Sequence, residues 1–105
     1  MHREAYLKRF KEITNEMLEL TTKKNQDYCS NEDAFANFKL VENLGICSAE
    51  VGILVRMCDK ISRISRLMKA EAKVKDESID DTNFDLCVYG IILQIYREAK
   101  RNGTD

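Results

Sequence analysis

The sequence predicts an all-α fold: a small helical bundle of three long helices plus a short helix or irregular segment. The 105-residue chain has no proline and only four glycines, whereas a β-rich fold with many turns normally needs more of both. Apolar residues recur at helical spacing in three long stretches. This length corresponds to a single domain, 1–105, with room for a modest hydrophobic core.

The first helix is predicted from about residue 3 to residue 22, because apolar residues alternate at spacings of four and three: Tyr6, Phe10, Ile13, Met17 and Leu20. The stretch 23–45 is less regular. Ser30 and Asp33 have the spacing of a capping box, so a short helix is expected to begin near Asn31. Phe35, Phe38 and Leu40 are expected to anchor it to the core, and Gly45 is expected to end it.

The second long helix is predicted to begin after Ser48 as its N-cap, with Glu50 in the first turn, and to run to about Glu71. Its packing face is expected to be the apolar stripe Val51, Leu54, Cys58, Ile61, Ile64 or Ser65, and Met68. Cys58 and Cys87 lie within apolar patterns and are expected to be small core residues. With no signal peptide, Cys29 and Cys47 are also expected to remain reduced in the cytoplasm.

The third long helix is predicted over about 79–100, with Ser78 and Asp81 as a capping box and Asn102-Gly103 as its end. Residues 86–96 are apolar on nearly every side, so this helix is expected to be central and to face a second subunit in part. The sequence therefore predicts a homo-oligomer, a dimer or tetramer. A buried strand is the alternative for this run, since valine and isoleucine favour strands.

Composition excludes several classes of protein. Hydrophobic residues make up 44% of the chain, too many for a disordered protein. The 17 basic and 18 acidic residues give a net charge of -1, which argues against a strongly basic nucleic-acid-binding protein. The longest apolar run, residues 86–93, is far shorter than the ~20 residues of a membrane span, so no membrane partner is expected.

Three groups of polar residues are candidates for a functional site. Asp81 and Asp85 lie one helical turn apart, with Glu77 and Asp80 upstream, and such carboxylates either bind Mg²⁺ or form the acidic flank of a helix start. A basic stripe either binds phosphates or forms salt bridges with the acids of the third helix: Arg56, Lys60 and Arg63, beside Asp59. The third group is a polar and aromatic loop that contains Lys24, Asp27 and Tyr28.

The order of these motifs resembles a family of small phage and prophage proteins, nucleotide modification associated domain type 1. The resemblance covers about residues 23–96 and rests on four motifs: K-x-x-DY at Lys24, a segment with Phe35 and Phe38, R-x-x-DK-x-x-R from Arg56 to Arg63, and V-x-DES-x-x-DT-x-x-DL-x-x-Y from Val74 to Tyr89. The helical plan is also similar to that of MazG-type all-α nucleotide pyrophosphohydrolases. Ile53 and Thr82 stand where those enzymes carry acidic residues.

The resemblance implies a nucleotide-handling protein, and three hypotheses remain open. In the first, the chain is a Mg²⁺-dependent nucleoside triphosphate pyrophosphohydrolase. Its metal ligands are Asp59, Asp81 and Asp85 with Glu77, and its substrate-binding residues are Lys24, Asp27, Tyr28, Arg56, Lys60 and Arg63. In the second, the same pocket binds and sequesters a nucleotide or a nucleotide-derived defence signal of the host without turnover. In the third, the chain is a helical interaction module whose charged motifs are salt bridges.

The second and third long helices are joined by a short connection, so they are expected to lie antiparallel, side by side. On that arrangement, Asp59, Arg63, Asp81 and Asp85 are expected to converge at one site between them.

Overall fold

The computed structural model describes residues 1–28, 33–70 and 75–103. These residues form four helices: α1 (Arg3–Tyr28), α2 (Ala36–Asn43), α3 (Ala49–Met68) and α4 (Lys75–Arg101). No β-strand occurs in these ranges, so the predicted all-α class is confirmed. Within them, no helix is long and apolar enough to cross a membrane. The chain divides into two compact units, residues 1–34 and 35–105.

Helix α1 makes up most of the first unit and is longer than predicted. It continues six residues beyond Thr22, because the following segment contains neither glycine nor proline to stop it. On its polar face Arg9 Nη1 lies 3.1 Å from Glu12 Oε2 and 3.2 Å from Glu16 Oε1. These ion pairs along one helix face support helix formation locally.

The second unit contains α2–α4. The two predicted helix caps between α2 and α3, Gly45 and Ser48, are confirmed. After α2, Gly45 adopts a positive φ of 74°, and its N–H donates to the Glu42 carbonyl at 3.0 Å. The Ile46 N–H donates to the Val41 carbonyl at 3.0 Å, which completes a Schellman motif. Ser48 then caps α3, its Oγ accepting from the Val51 N–H at 3.2 Å.

Two helix starts differ from the prediction. Helix α2 begins at Ala36, whereas the expected start near Asn31 and the capping residue Ser30 lie outside the described residues. Helix α4 begins at Lys75, so Ser78 lies inside the helix and is not its cap. The Ser78 carbonyl instead accepts a 2.7 Å hydrogen bond from the hydroxyl of the buried Thr82.

Helices α3 and α4 pack antiparallel, as predicted. Residues later in α3 contact residues earlier in α4: Met57 lies beside Gly90, whereas Lys60 bonds to Asp85. The α4 helix ends as expected at Gly103, which has a φ of 70° and donates its N–H to the Lys100 carbonyl. The predicted strand alternative for residues 86–96 is therefore wrong, since they are helical throughout.

The core of this unit lies between α3, α4 and the start of α2. Its buried side chains are Phe38, Ala49, Ile53 and Tyr96. The Phe35 ring meets Tyr96 edge-on at 5.2 Å between centroids, so both phenylalanines are the core anchors that the sequence predicts. The third predicted anchor, Leu40, is wrong, since its side chain is 56% exposed. The Tyr96 hydroxyl is buried without a hydrogen-bond partner among the described residues.

The packing face of α3 is not the stripe that the sequence predicts. Ile53 and Met57 contribute to the core, and Ile64, one of the two alternatives at its stripe position, is half-buried. The other stripe residues are exposed: Val51, Leu54, Cys58, Ile61, Ser65 and Met68. The expected core positions of Cys58 and Cys87 are wrong for the same reason, since both are exposed. Cys47, Cys58 and Cys87 are free thiols, and Cys29 lies outside the described residues.

Candidate functional site

A pocket of about 360 Å³ opens on one flank of α3. Five of its lining residues come from α3, and each lies three or four positions from another of the five, which places them on one side of the helix. The lining residues are Arg56, Asp59, Lys60, Arg63, Arg66 and Tyr89. Four basic side chains thus line one space with a single carboxylate. The predicted basic stripe is therefore one surface, and the predicted Asp59 belongs to it.

Arg56 is held in this pocket by two aromatic rings. Its guanidinium carbon lies 5.0 Å from the ring centroid of Phe38 and 6.0 Å from that of Tyr89. The two rings themselves meet edge-on, with centroids 6.3 Å apart. Cation–π contacts of this kind restrict a long side chain that would otherwise sample many rotamers. Arg56 is half-buried, so these contacts hold its guanidinium group in place at the pocket.

Lys60 connects the pocket to α4. Its Nζ lies 3.2 Å from Asp85 Oδ2, and both side chains are 29% exposed. A partly solvated pair of this kind contributes less than ~1 kcal/mol to stability, because water screens the attraction. Its main consequence is chemical: the Asp85 carboxylate, predicted as a metal ligand, is engaged by the ammonium group of Lys60.

The residues predicted to converge at one site are only partly brought together. Asp59 and Arg63 line the pocket and Asp85 reaches it through Lys60, but Glu77 and Asp81 lie exposed on α4 and are not among the lining residues. In the described part of the chain, no group of three or more His, Cys, Asp or Glu side chains could hold a metal ion. A magnesium role for these carboxylates stays a prediction.

The predicted loop residues Lys24, Asp27 and Tyr28 belong to helix α1, in the first compact unit. They are not in a loop, which corrects that part of the prediction. The side chains at 25–28 lie outside the described residues, so a binding role for Asp27 and Tyr28 stays a prediction. The Lys24 side chain is exposed on α1, and its binding role also stays a prediction.

Two pocket residues were missed from the sequence. Arg66 continues the basic spacing of Arg56 and Arg63 by one more turn, so its position was a usable signal. Tyr89 is the last residue of the V-x-DES-x-x-DT-x-x-DL-x-x-Y motif, which by itself does not place it in a pocket. Its place opposite Arg56 depends on how α4 packs on α3, which spacing along either helix does not specify.

No protein-family model matches the chain, and no curated protein or solved structure is significantly similar to it. The resemblance to the phage family stays a prediction. The function is accordingly inferred from the pocket itself.

Proposed function

We propose that this chain binds a nucleotide, or a closely related phosphorylated small molecule, in the α3 pocket. The observation that supports this most directly is the gathering of Arg56, Lys60, Arg63 and Arg66 around one space with one lining carboxylate, Asp59. Unbalanced positive charge of this kind attracts a polyanion. The pocket volume of about 360 Å³ also lies in the range of small-molecule sites, roughly 300–1,000 Å³.

The lining side chains suit different parts of such a ligand. Arg63 and Arg66 are exposed, and their planar guanidinium groups match the paired oxygens of a phosphate. Arg56 is already positioned by Phe38 and Tyr89, so less conformational entropy is lost when it binds. The Tyr89 ring also lines the pocket and offers an apolar surface for a base or sugar.

Binding is the part of the nucleotide hypothesis that this geometry supports best. Hydrolysis at a magnesium ion needs one or two carboxylates that are available to hold the metal beside the substrate phosphates. Of the four predicted ligands Asp59 alone lines the pocket, Asp85 is paired with Lys60, and Glu77 and Asp81 are not among the lining residues. We therefore propose no hydrolytic step.

The proposal is tested by isothermal titration of the full chain with three compounds: a nucleoside triphosphate, inorganic tripolyphosphate and the parent nucleoside. We expect both phosphate compounds to bind, the nucleoside to bind far more weakly, and affinity to fall as salt screens the charges. Bound nucleotide should be recovered intact, with or without Mg²⁺. Binding of the nucleoside alone, or no heat with either phosphate compound, contradicts the proposal.

Asp85→Asn separates this proposal from a metal-dependent one. We expect the substitution to raise tripolyphosphate affinity by about two- to tenfold, because it removes a negative charge beside the pocket and releases Lys60 for the ligand. Asp80→Asn is the matched control, since Asp80 is an exposed α4 carboxylate that does not line the pocket. A metal ligand at position 85 predicts the opposite result, a loss of Mg²⁺-dependent binding or turnover.

A further inference from the structure

Helix α3 carries a second surface, on a different flank from the pocket. The exposed residues Val51, Leu54, Cys58, Ile61, Ser65 and Met68 recur at alternating spacings of three and four, the pattern of a coiled-coil seam. We call them the α3 seam. Its largest members keep much of their surface exposed, with Leu54 at 47%, Ile61 at 54% and Met68 at 65%. At 100° per residue the seam lies roughly 150° around the helix from the pocket-lining arginines.

We propose that two copies of this chain form an antiparallel dimer through the α3 seam. A two-fold interface uses the same surface on both subunits, so the seam must be complementary to itself. The antiparallel register makes the seam complementary to itself. The pairs that meet are Val51 and the partner's Met68, Leu54 and the partner's Ser65, and Cys58 and the partner's Ile61. Each pair joins a smaller side chain to a larger one. A parallel register would place Ser65 opposite the partner's Ser65 and leave a gap.

The α3 seam presents an uncharged, exposed face. Four of its six side chains are large and apolar, and each is at least 45% exposed: Val51, Leu54, Ile61 and Met68. Burying the seam removes large apolar side chains from water, which favours association.

Charge favours the same orientation. The six seam positions carry no charge, but the first turn of α3 contains Glu50, and Lys69 directly follows the helix. Antiparallel packing places Glu50 at the same end as the partner's Lys69, and it also opposes the two helix dipoles. Parallel packing would bring like charges to the same end. The surface therefore suits a second copy in one orientation.

Residues 86–96 of α4, the interface that the sequence predicts, provide less free surface. Tyr96 is fully buried, and Tyr89, Ile92 and Leu93 pack against the core of the same chain. Ile91 and Ile95 are each 50% exposed. This face is the competing site for a dimer, and the experiment is designed to distinguish the two.

The test is the size of the full chain in solution, by sedimentation velocity over about 1–100 μM, since dimer formation depends on protomer concentration. We expect wild type to dimerise and Ile61→Glu to be monomeric. Ile91→Glu is the matched control, because the two isoleucines are exposed to similar extents, 54% and 50%. It should stay dimeric. Circular dichroism checks that both variants are folded.

A monomeric wild type over that range overturns the proposal. So does the reverse result, in which Ile91→Glu dissociates the dimer and Ile61→Glu does not, since that assigns the interface to α4. Neither outcome affects the pocket, whose ligand binding is measured separately.

Cysteine cross-linking gives an independent readout. In the antiparallel register, Cys58 and the partner's Cys58 are offset by about 4.5 Å along the helix axis, so a short bismaleimide can join them. Two variants are compared, one retaining only Cys58 and one retaining only Cys87, which is also exposed. We expect covalent dimer at low micromolar concentration from the Cys58 variant alone. Equal yields from both variants contradict the seam.

Discussion

Ile53→Ala is expected to lower the free energy of unfolding by about 2–4 kcal/mol, because it removes three buried carbons and leaves a cavity. Ile53 is 0% exposed and belongs to the buried cluster with Ala49, Phe38 and Tyr96. A loss of this size is a large fraction of the ~5–15 kcal/mol that stabilises a typical domain. Urea denaturation followed by far-ultraviolet circular dichroism measures it, at one fixed protein concentration.

Ile91→Ala is the control for this substitution. It makes the same chemical change on α4, but Ile91 is 50% exposed and leaves little cavity behind. We expect a loss below about 1 kcal/mol. Equal losses at the two positions would show that the core is not centred on Ile53.

Helix ends were predictable where backbone chemistry determines them locally. Gly45 and Gly103 take positive φ values that other residues rarely adopt, and Ser48 accepts a hydrogen bond three residues away. The same reasoning failed at Ser78. Its spacing to Asp81 is that of a capping box. The preceding residues Lys75, Asp76 and Glu77 are also helical, however, so α4 begins earlier than expected. A local motif therefore identifies a helix boundary only when no helix-compatible residues lie beyond it.

The buried face of α3 was not predictable from periodicity. The helix has apolar residues on two flanks: Ile53 and Met57 on one, and the α3 seam on the other. The seam has the more regular spacing, yet the first flank packs inward because it meets Phe38 and Tyr96 from α2 and α4. Periodicity shows which residues share a face, but the elements opposite decide which face is covered.

The candidate site was also predictable only in part. Arg56, Asp59, Lys60 and Arg63 lie on one helix, so their spacing predicted a shared surface and the structure shows one. The contributions of other helices were harder to predict. Phe38 and Tyr89 hold Arg56, and Asp85 engages Lys60, through tertiary packing alone. The sequence left open whether the acids bind metal or form salt bridges, and for Asp85 the structure shows a salt bridge.

Arg63→Glu is expected to weaken tripolyphosphate and nucleoside triphosphate binding by about ten- to a hundredfold. Hydrogen bonds to charged groups contribute about 1.5–3 kcal/mol each, and every ~1.4 kcal/mol is a tenfold change in affinity. The substitution removes one such donor and places a repelling carboxylate in the pocket. Because Arg63 is exposed, the fold should tolerate the change. Isothermal titration of the folded variant measures the effect.

Arg97→Glu distinguishes a local site from general electrostatic attraction. It changes the net charge of the chain by the same amount, but Arg97 is an exposed α4 residue that does not line the pocket. We expect its effect to be less than about threefold and to vanish in moderate salt, because distant charges act only through a screened field. The loss caused by Arg63→Glu should persist, since it removes a direct contact. If both reversals weaken binding equally at every salt concentration, the ligand responds to overall charge and the α3 pocket is not its site.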